Sequence, residues 1–332
     1  MRVLLIKTSS MGDIIHALPA LTDAMRALPD ISFDWVVEEG FVDIPGWHPA
    51  VRRIIPVAIR RWRKSLWRTW RSGEYAAFKQ QLQANNYDLV LDAQGLLKSA
   101  WLTRGLAAPV AGADHQSVRE PIASRFYDRH YPIQRNQHAV EKNRQLFAAA
   151  LGYAKPESVG NYGLDRAAIA QRETGVPHEP YLMFIHGTTW PSKHWPQEYW
   201  RELATHYAAQ GRQILLPWGS EQERRRAEFI AADLAGVQVL PKMSLTSLAS
   251  YLAGAQACVA VDTGLGHLTA ALDTPCVSLY GPTSPELIGA YGANQVHLCA
   301  TGPNAGKRDR KLPCFDDLGA SQVIAALEPL LA

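Results

Sequence analysis

Two doubly wound, Rossmann-like α/β domains facing a central cleft are the architecture that the sequence predicts, on three observations. The chain has 332 residues, and at roughly 100–200 residues per domain that length suits two substantial cores. Short apolar, β-branched runs alternate with amphipathic stretches of helical period, the rhythm of parallel sheets with right-handed crossovers. Between the two halves, Gly152 to Gly163 carries Pro156, Gly160 and polar residues with little periodicity, which marks a linker. The expected domains are therefore 1–155 and 156–332, with the last helix able to pack back on the first domain.

Element by element, Arg2–Ile6 reads as a strand that runs into a polar loop, Thr8 to Asp13. Ile14, Leu18, Leu21, Met25 and Leu28 then recur at the spacing of one helix face, and Pro19 predicts a kink within it. Phe33–Val37, Arg53–Val57 and Leu89–Leu91 read as further strands, with helices near Glu74–Ala84, Leu97–Leu106 and Ala139–Leu151. Past the seam, strands are expected at Tyr181–Ile185, Gln213–Leu216, Val237–Leu240, Cys258–Val261 and Cys276–Leu279. Helices are expected at Gln197–Ala209, Glu221–Leu234, Ser244–Ala253, Leu265–Leu272 and Phe315–Leu331. No repeat of 20–50 residues is visible, which excludes a solenoid.

Composition narrows the class. Hydrophobic content of 47% and charged content of 20% describe an ordinary globular protein. Cys258, Cys276, Cys299 and Cys314 form no C-x-x-C pair, which argues against zinc and against a disulfide framework and fits a reducing compartment. Only four consecutive apolar residues precede Lys7, too few for a signal peptide, and no run approaches the length of a membrane span. The expectation is a cytoplasmic chain.

Net charge is +3, but its distribution is uneven. Between Val51 and Gly73 lie eight bases (Arg52, Arg53, Arg60, Arg61, Arg63, Lys64, Arg68, Arg71) and no acid, so the remainder of the chain is net negative. Trp62, Trp67 and Trp70 share that stretch. A helix over Ile59–Ser72 would place Arg60, Lys64, Arg68 and Arg71 on one stripe and Trp62, Leu66 and Trp70 on the opposite one. Such a segment suits an anionic lipid surface or an anionic ligand, or else is a solvated helix packed through its tryptophans. One short patch on a nearly neutral protein gives thin support for nucleic acid.

Three loops are expected at the carboxyl ends of strands, where open α/β sheets bind ligands. In Thr8-Ser9-Ser10-Met11-Gly12-Asp13, Asp13 is either a helix cap or a general base. In Asp262-Thr263-Gly264-Leu265-Gly266-His267, a strand enters a helix whose first amides suit a phosphate, unless Asp262 merely caps it. In His186-Gly187-Thr188-Thr189-Trp190-Pro191-Ser192-Lys193, the two threonine hydroxyls and the lysine can hold a diphosphate, unless the loop is an ordinary polar turn. The glycines match neither a dinucleotide fingerprint nor a Walker loop, and H-E-x-x-H and D-x-D are absent, so no metal is expected.

Several longer stretches carry a resemblance: Met1–Asp13, Phe33–Phe41, Ile59–Lys64, Arg119-Glu-Pro121, Lys193-His-Trp-Pro196, Leu216-Pro-Trp-Gly219, Pro241-Lys-Met-Ser244 and Val261-Asp-Thr-Gly264 with His267. Together they resemble the ADP-heptose:lipopolysaccharide heptosyltransferases, glycosyltransferases of GT-B type, from the first strand to about Pro282. The resemblance implies inverting, metal-independent transfer of L-glycero-D-manno-heptose from ADP-heptose to Kdo of Kdo2-lipid A. ADP-heptose enters as a substrate, and no cofactor is implied. Asp13 resembles the family's proposed base. Thr188, Thr189, Lys193, Glu223, Met243, Asp262, Thr263, Gly264 and His267 match its donor site. Ser10, Arg60, Arg61, Arg63, Lys64 and Arg119 fall to the acceptor. A monomer, peripheral on the cytoplasmic face of the inner membrane and without nucleic acid, completes the expectation.

Two departures stand against the pattern. Trp190-Pro191-Ser192 replaces a more polar stretch before the lysine, and the basic tail with Lys307, Arg308, Arg310 and Lys311 matches nothing in the family. Three other readings remain open: a related heptosyltransferase with a different acceptor sugar, a nucleotide-sugar epimerase or hydrolase of the same fold, and a non-catalytic module for anionic lipid.

Overall fold

The structure, a computed structural model, describes residues 1–302, 304–307 and 311–332. Arg308 and Arg310 of the basic tail lie outside the described residues, as do the side chains of Leu66 and Arg68. The chain divides into two units, Met1–Leu164 and Asp165–Ala332. The division falls at the C-terminal end of the glycine-bounded seam.

The first unit holds one six-stranded sheet built from β1 (Arg2–Ile6), β2 (Ser32–Glu38), β3 (Val51–Val57), β4 (Leu89–Asp92), β5 (Val110–Ala113) and β6 (Arg129–Tyr131). Its order is β3-β2-β1-β4-β5-β6 and every pair is parallel. The central strands are buried on both faces, which is why Val3–Ile6 and Leu89–Leu91 are continuously apolar instead of alternating. On one face Leu4, Ile6, Val36, Ile55, Val90 and Val110 pack with Trp62, Phe78 and Tyr127.

The second unit repeats the plan with β7 (Tyr181–Ile185), β8 (Gln213–Leu216), β9 (Val237–Val239), β10 (Ala257–Val261), β11 (Cys276–Tyr280) and β12 (Gln295–Cys299). The order β12-β11-β10-β7-β8-β9 is again all parallel and, counted within the unit, is the same doubly wound order. Its core joins Phe184, Trp195, Trp200, Tyr207, Val259 and Leu279. The final helix, Ala320–Leu331, buries Val323 and Leu327 in that core, against β10, β11 and the helix Gln197–Ala209.

Four expected helices differ: the one expected over Leu97–Leu106 is only Leu97–Ala100 with a 3-10 turn, Trp101–Thr103, after it, the last begins at Ala320 and not at Phe315, and two others are split. The first is split into Met11–Ile15 and Leu18–Ala27, with Pro19 in the opening turn of the second piece, where a missing N–H breaks no intrahelical bond. The basic helix over Ile59–Ser72 is likewise two short helices, Ile59–Trp62 and Leu66–Arg71. Trp62 is drawn into the core, edge-on to Tyr75 at 5.9 Å and Phe78 at 5.5 Å. The chain turns through Arg63-Lys64, and Ser65, whose carbonyl accepts from the Thr69 amide, opens the second helix. The proposed apolar stripe therefore does not exist as one face: Trp62 is buried, while Trp67 and Trp70 are 68% and 72% exposed and stack at 5.6 Å.

No described helix is long and apolar enough to cross a membrane.

Candidate functional site

An open parallel sheet binds ligands where its strand order reverses. In the first unit that point lies between β1 and β4, so the loops after those strands define the site. They are tied together: Gln94 Oε1 accepts from the amides of Thr8 and Ser9, both at 3.0 Å, and Lys7 Nζ donates to the Ala93 carbonyl at 2.7 Å. Below them Asp92 is fully buried and accepts from Ser99 and Tyr127 hydroxyls and from the Gln94 and Gly95 amides. Burial raises the pKa of Asp92 and lowers that of Lys7, against the pull of Asp13 and Asp92 on the latter.

Asp13 is the third residue of the helix that starts on Ser10. Its Oδ2 accepts from the Ser10 amide at 2.7 Å and the Ser10 hydroxyl at 3.2 Å, one half of a capping box. It is thus a cap, yet its side chain remains 33% exposed, with Arg119 Nη1 4.0 Å away. Further cations gather at the neighbouring Ser9 and Lys98. Lys98 Nζ donates to Ser9 Oγ at 3.1 Å, and its pKa is lowered by burial and then by Arg60, Arg63 and Arg119, partly offset by Glu38. Arg60 is fixed by its amide on Glu38 Oε1 at 2.9 Å and lies over the Phe41 ring at 5.2 Å. Arg61 is placed differently, because Glu39 (3.0 Å) and Glu74 (2.5 Å) neutralise it and raise its pKa, Glu74 most. Lys64 is exposed on the intervening turn. The acids that pair Arg61 flank the basic segment in sequence, which is why counting within the segment did not reveal them.

In the second unit the order reverses between β7 and β10. Asp262, at the end of β10, is 5% exposed and does not cap the following helix; Thr263 holds that position. Asp262 Oδ2 instead meets Lys193 Nζ at 2.5 Å and the Thr283 hydroxyl at 2.6 Å, and Oδ1 lies 3.6 Å from His267 Nε2. Burial alone raises its pKa, but His267 and Lys193 outweigh burial and hold the carboxyl well below its ordinary range. Lys193 also sits 4.8 Å over the Trp190 ring, so the aromatic departure before the lysine supplies a cation–π partner. Thr188 Oγ1 donates to the Asp262 carbonyl at 3.0 Å, which joins the loops after β7 and β10, while Thr189 is exposed. The helix Gly264–Ala271 opens at this point and brings its first amides to the loops. Gly266 permits its close packing, since a Cβ there would lie 3.3 Å from that of Ala260.

Glu223 backs the same loop. Its Oε2 accepts from the Gly219 and Ser220 amides at 2.7 and 3.0 Å, and a Cβ on Gly187 would sit 2.5 Å from Oε1. Met243 is half-buried in the loop after β9. Thr283, Lys98, Lys7 and Gln94 are the site residues that sequence reasoning missed. Among the described residues, no three His, Cys, Asp or Glu side chains are grouped to hold a metal ion.

The family model of glycosyltransferase family 9 (heptosyltransferase) matches residues 75–314. A lipopolysaccharide heptosyltransferase 1 of Pseudomonas aeruginosa is 59% identical over 351 residues, which cover 100% of this chain and 98% of that one. Among solved structures, E. coli heptosyltransferase WaaC with ADP has a TM-score of 0.89 at 51% identity, covering 99% of this chain and 100% of that one. E. coli heptosyltransferase WaaC with ADP-2-deoxy-2-fluoro heptose has a TM-score of 0.87 at 51% identity, covering 99% of each chain.

Proposed function

The chain belongs to glycosyltransferase family 9, the heptosyltransferases, and from that premise we propose that it moves L-glycero-D-manno-heptose from ADP-heptose to Kdo of Kdo2-lipid A. It is a heptosyltransferase with the two-domain GT-B fold, and its relatives act in lipopolysaccharide assembly. The finer reading rests first on one observation: a half-exposed carboxylate, Asp13, stands at the first unit's switch point with Arg119 4.0 Å away, and follows a loop whose Ser9 is bonded by Lys98, itself in the field of Arg60, Arg63 and Arg119.

That field suits an acceptor bearing carboxylates and phosphates. Asp13 takes the proton of the Kdo hydroxyl as its oxygen attacks the anomeric carbon; the bond from that carbon to the ADP oxygen breaks and its electron pair leaves with ADP. One displacement inverts the configuration. A positioned base of this kind contributes about 10²–10⁴ in rate. The leaving diphosphate is met by the Lys193 ammonium, the His267 side chain and the amides opening Gly264–Ala271, donors already in place that serve without a metal ion. Exposed Trp67 and Trp70 beside Arg63, Lys64 and Arg71 suit the anionic cytoplasmic face of the inner membrane, where a peripheral monomer would meet lipid A.

The test is ADP release from ADP-heptose with and without Kdo2-lipid A, in the presence of chelator, for the wild type and Asp13→Asn. Release that needs acceptor and falls about 10²–10⁴-fold in a normally melting mutant supports the reading. Equal release without acceptor would indicate a hydrolase. A product retaining the donor's anomeric configuration by NMR would exclude single displacement.

A further inference from the structure

The helix Glu221–Ala231 sends a second side chain to the loop that follows β7. Arg226 lies one turn beyond Glu223, and its Nη1 donates to His194 Nδ1 at 2.9 Å and to the His186 carbonyl at 3.4 Å. His186 is the first residue after β7, and His194 directly follows Lys193. One guanidinium nitrogen therefore holds both ends of the segment that carries Thr188, Thr189 and Lys193. Next to it, Trp195 is anchored by its indole N–H on the Leu318 carbonyl at 2.7 Å, so the far end of the loop is fixed to the core. An arginine can only donate, so Nδ1 of His194 must accept and its proton sits on Nε2. Burial and then the adjacent Arg226 lower the pKa of His194, which favours the neutral ring that can accept; the His186 backbone and then Glu223 act the other way. Burial also lowers the pKa of Arg226. A cation held in a partly desolvated place to meet a carbonyl and an imidazole is costly unless the geometry it enforces matters.

We propose that Arg226 is a positioning residue for the donor diphosphate: it clamps His186 and His194 so that Lys193 and the Thr188-Thr189 hydroxyls are presented in one fixed arrangement. The inference rests on the reading above, in which this loop holds the diphosphate. Arg226 touches no reacting atom and acts through His194.

ADP binding by calorimetry, with a thermal melt for each full-length variant, tests it. Arg226→Gln and His194→Leu should each weaken ADP about tenfold, the worth of one charge-assisted hydrogen bond. The double variant should be no worse than Arg226→Gln alone, because the Arg226–His194 contact is already lost there. His194→Asn, whose Oδ1 can stand where Nδ1 stood, should bind ADP like the wild type. A merely structural histidine would not distinguish Asn from Leu in this way. Unchanged affinity in folded Arg226→Gln, additive losses in the double variant, or equal loss in His194→Asn and His194→Leu would each overturn the proposal. If Arg226→Gln does not fold, the His194 pair decides alone. Lys193→Ala separates the two levels: if it too leaves ADP affinity intact, the donor-loop reading falls; if it weakens ADP while Arg226→Gln does not, only the clamp falls.

Discussion

Asp13 and Asp262 lie at the reversal points of two sheets of the same strand order, Asp13 in the first helical turn after the first strand of its unit and Asp262 directly after the fourth strand of its own. Asp262 is 5% exposed and surrounded by Lys193, Thr283 and His267, while Asp13 is 33% exposed, held by Ser10 alone at short range, with Arg119 at 4.0 Å. A buried carboxylate bonded by an ammonium and a hydroxyl, with an imidazole at 3.6 Å, is held in its ionised form and suits a scaffold. A half-exposed one with a local cap can still accept a proton. The reversal point of each sheet thus carries an acid, and in the proposed reaction it is their solvation that divides the work.

Substituting each acid by its amide is the severest trial of that division. Asp13→Asn should cost about 10²–10⁴ in kcat and less than about 1 kcal/mol in stability, since Asn can still accept from the Ser10 amide. Asp262→Asn should reverse the pattern, destabilising by about 3–5 kcal/mol in chemical denaturation because Lys193 loses its buried partner. Equal stability losses would end the distinction.

Acidification probes the first unit through His48. Its Nε2 meets Thr22 Oγ1 at 2.9 Å, its Nδ1 accepts from the Ala50 amide, and burial lowers its pKa to about 4. A folded value below the unfolded 6.5 means that its contribution is complete above pH 6.5 and is lost as pH falls toward 4. The unfolding free energy should fall over that window by an amount on the order of 3 kcal/mol, and His48→Gln should flatten the slope. Asp262, whose folded pKa is depressed, should lose its contribution only below the ordinary carboxylate range, whereas the second unit's buried His186, lowered to about 3, should add a loss there over a window like that of His48.

Smaller still is Thr283→Val, which removes one of Asp262's partners and should cost about 1 kcal/mol by the same denaturation assay, with ADP bound more weakly. An unchanged Asp262 environment in that variant would show that Lys193 and His267 suffice.

Much of this was legible along the chain. Strands such as Tyr181–Ile185 and Gln213–Leu216 are central or nearly so and read as unbroken apolar runs. β5, β6 and β12 escaped because Val110–Ala113 is short and small, Arg129–Tyr131 is exposed and polar, and Gln295–Cys299 lies at an edge with only one neighbour. Asp13, Lys193 and Asp262 were found because each sits in a loop after a readable strand. Thr283 reaches Asp262 from beyond β11, and Lys98 reaches Ser9 across the sheet's reversal, so sheet order, which spacing does not encode, brings them in. The basic segment misled in one respect: helical period was read through Ser65, where burial of Trp62 on one side and a new helix start on the other interrupt it.

The ion pair of Lys193 with Asp262 also bears on ionic strength. Both partners are largely withdrawn from water and the cation already carries its counter-ion, so added salt finds little to screen there. Arg119, 66% exposed, and its neighbours meet the full ionic atmosphere, whose screening length is about 8 Å at physiological strength. Raising salt should therefore erode capture of the acceptor while leaving grip on the nucleotide nearly constant, and KM for the two substrates would part along the line between the two units.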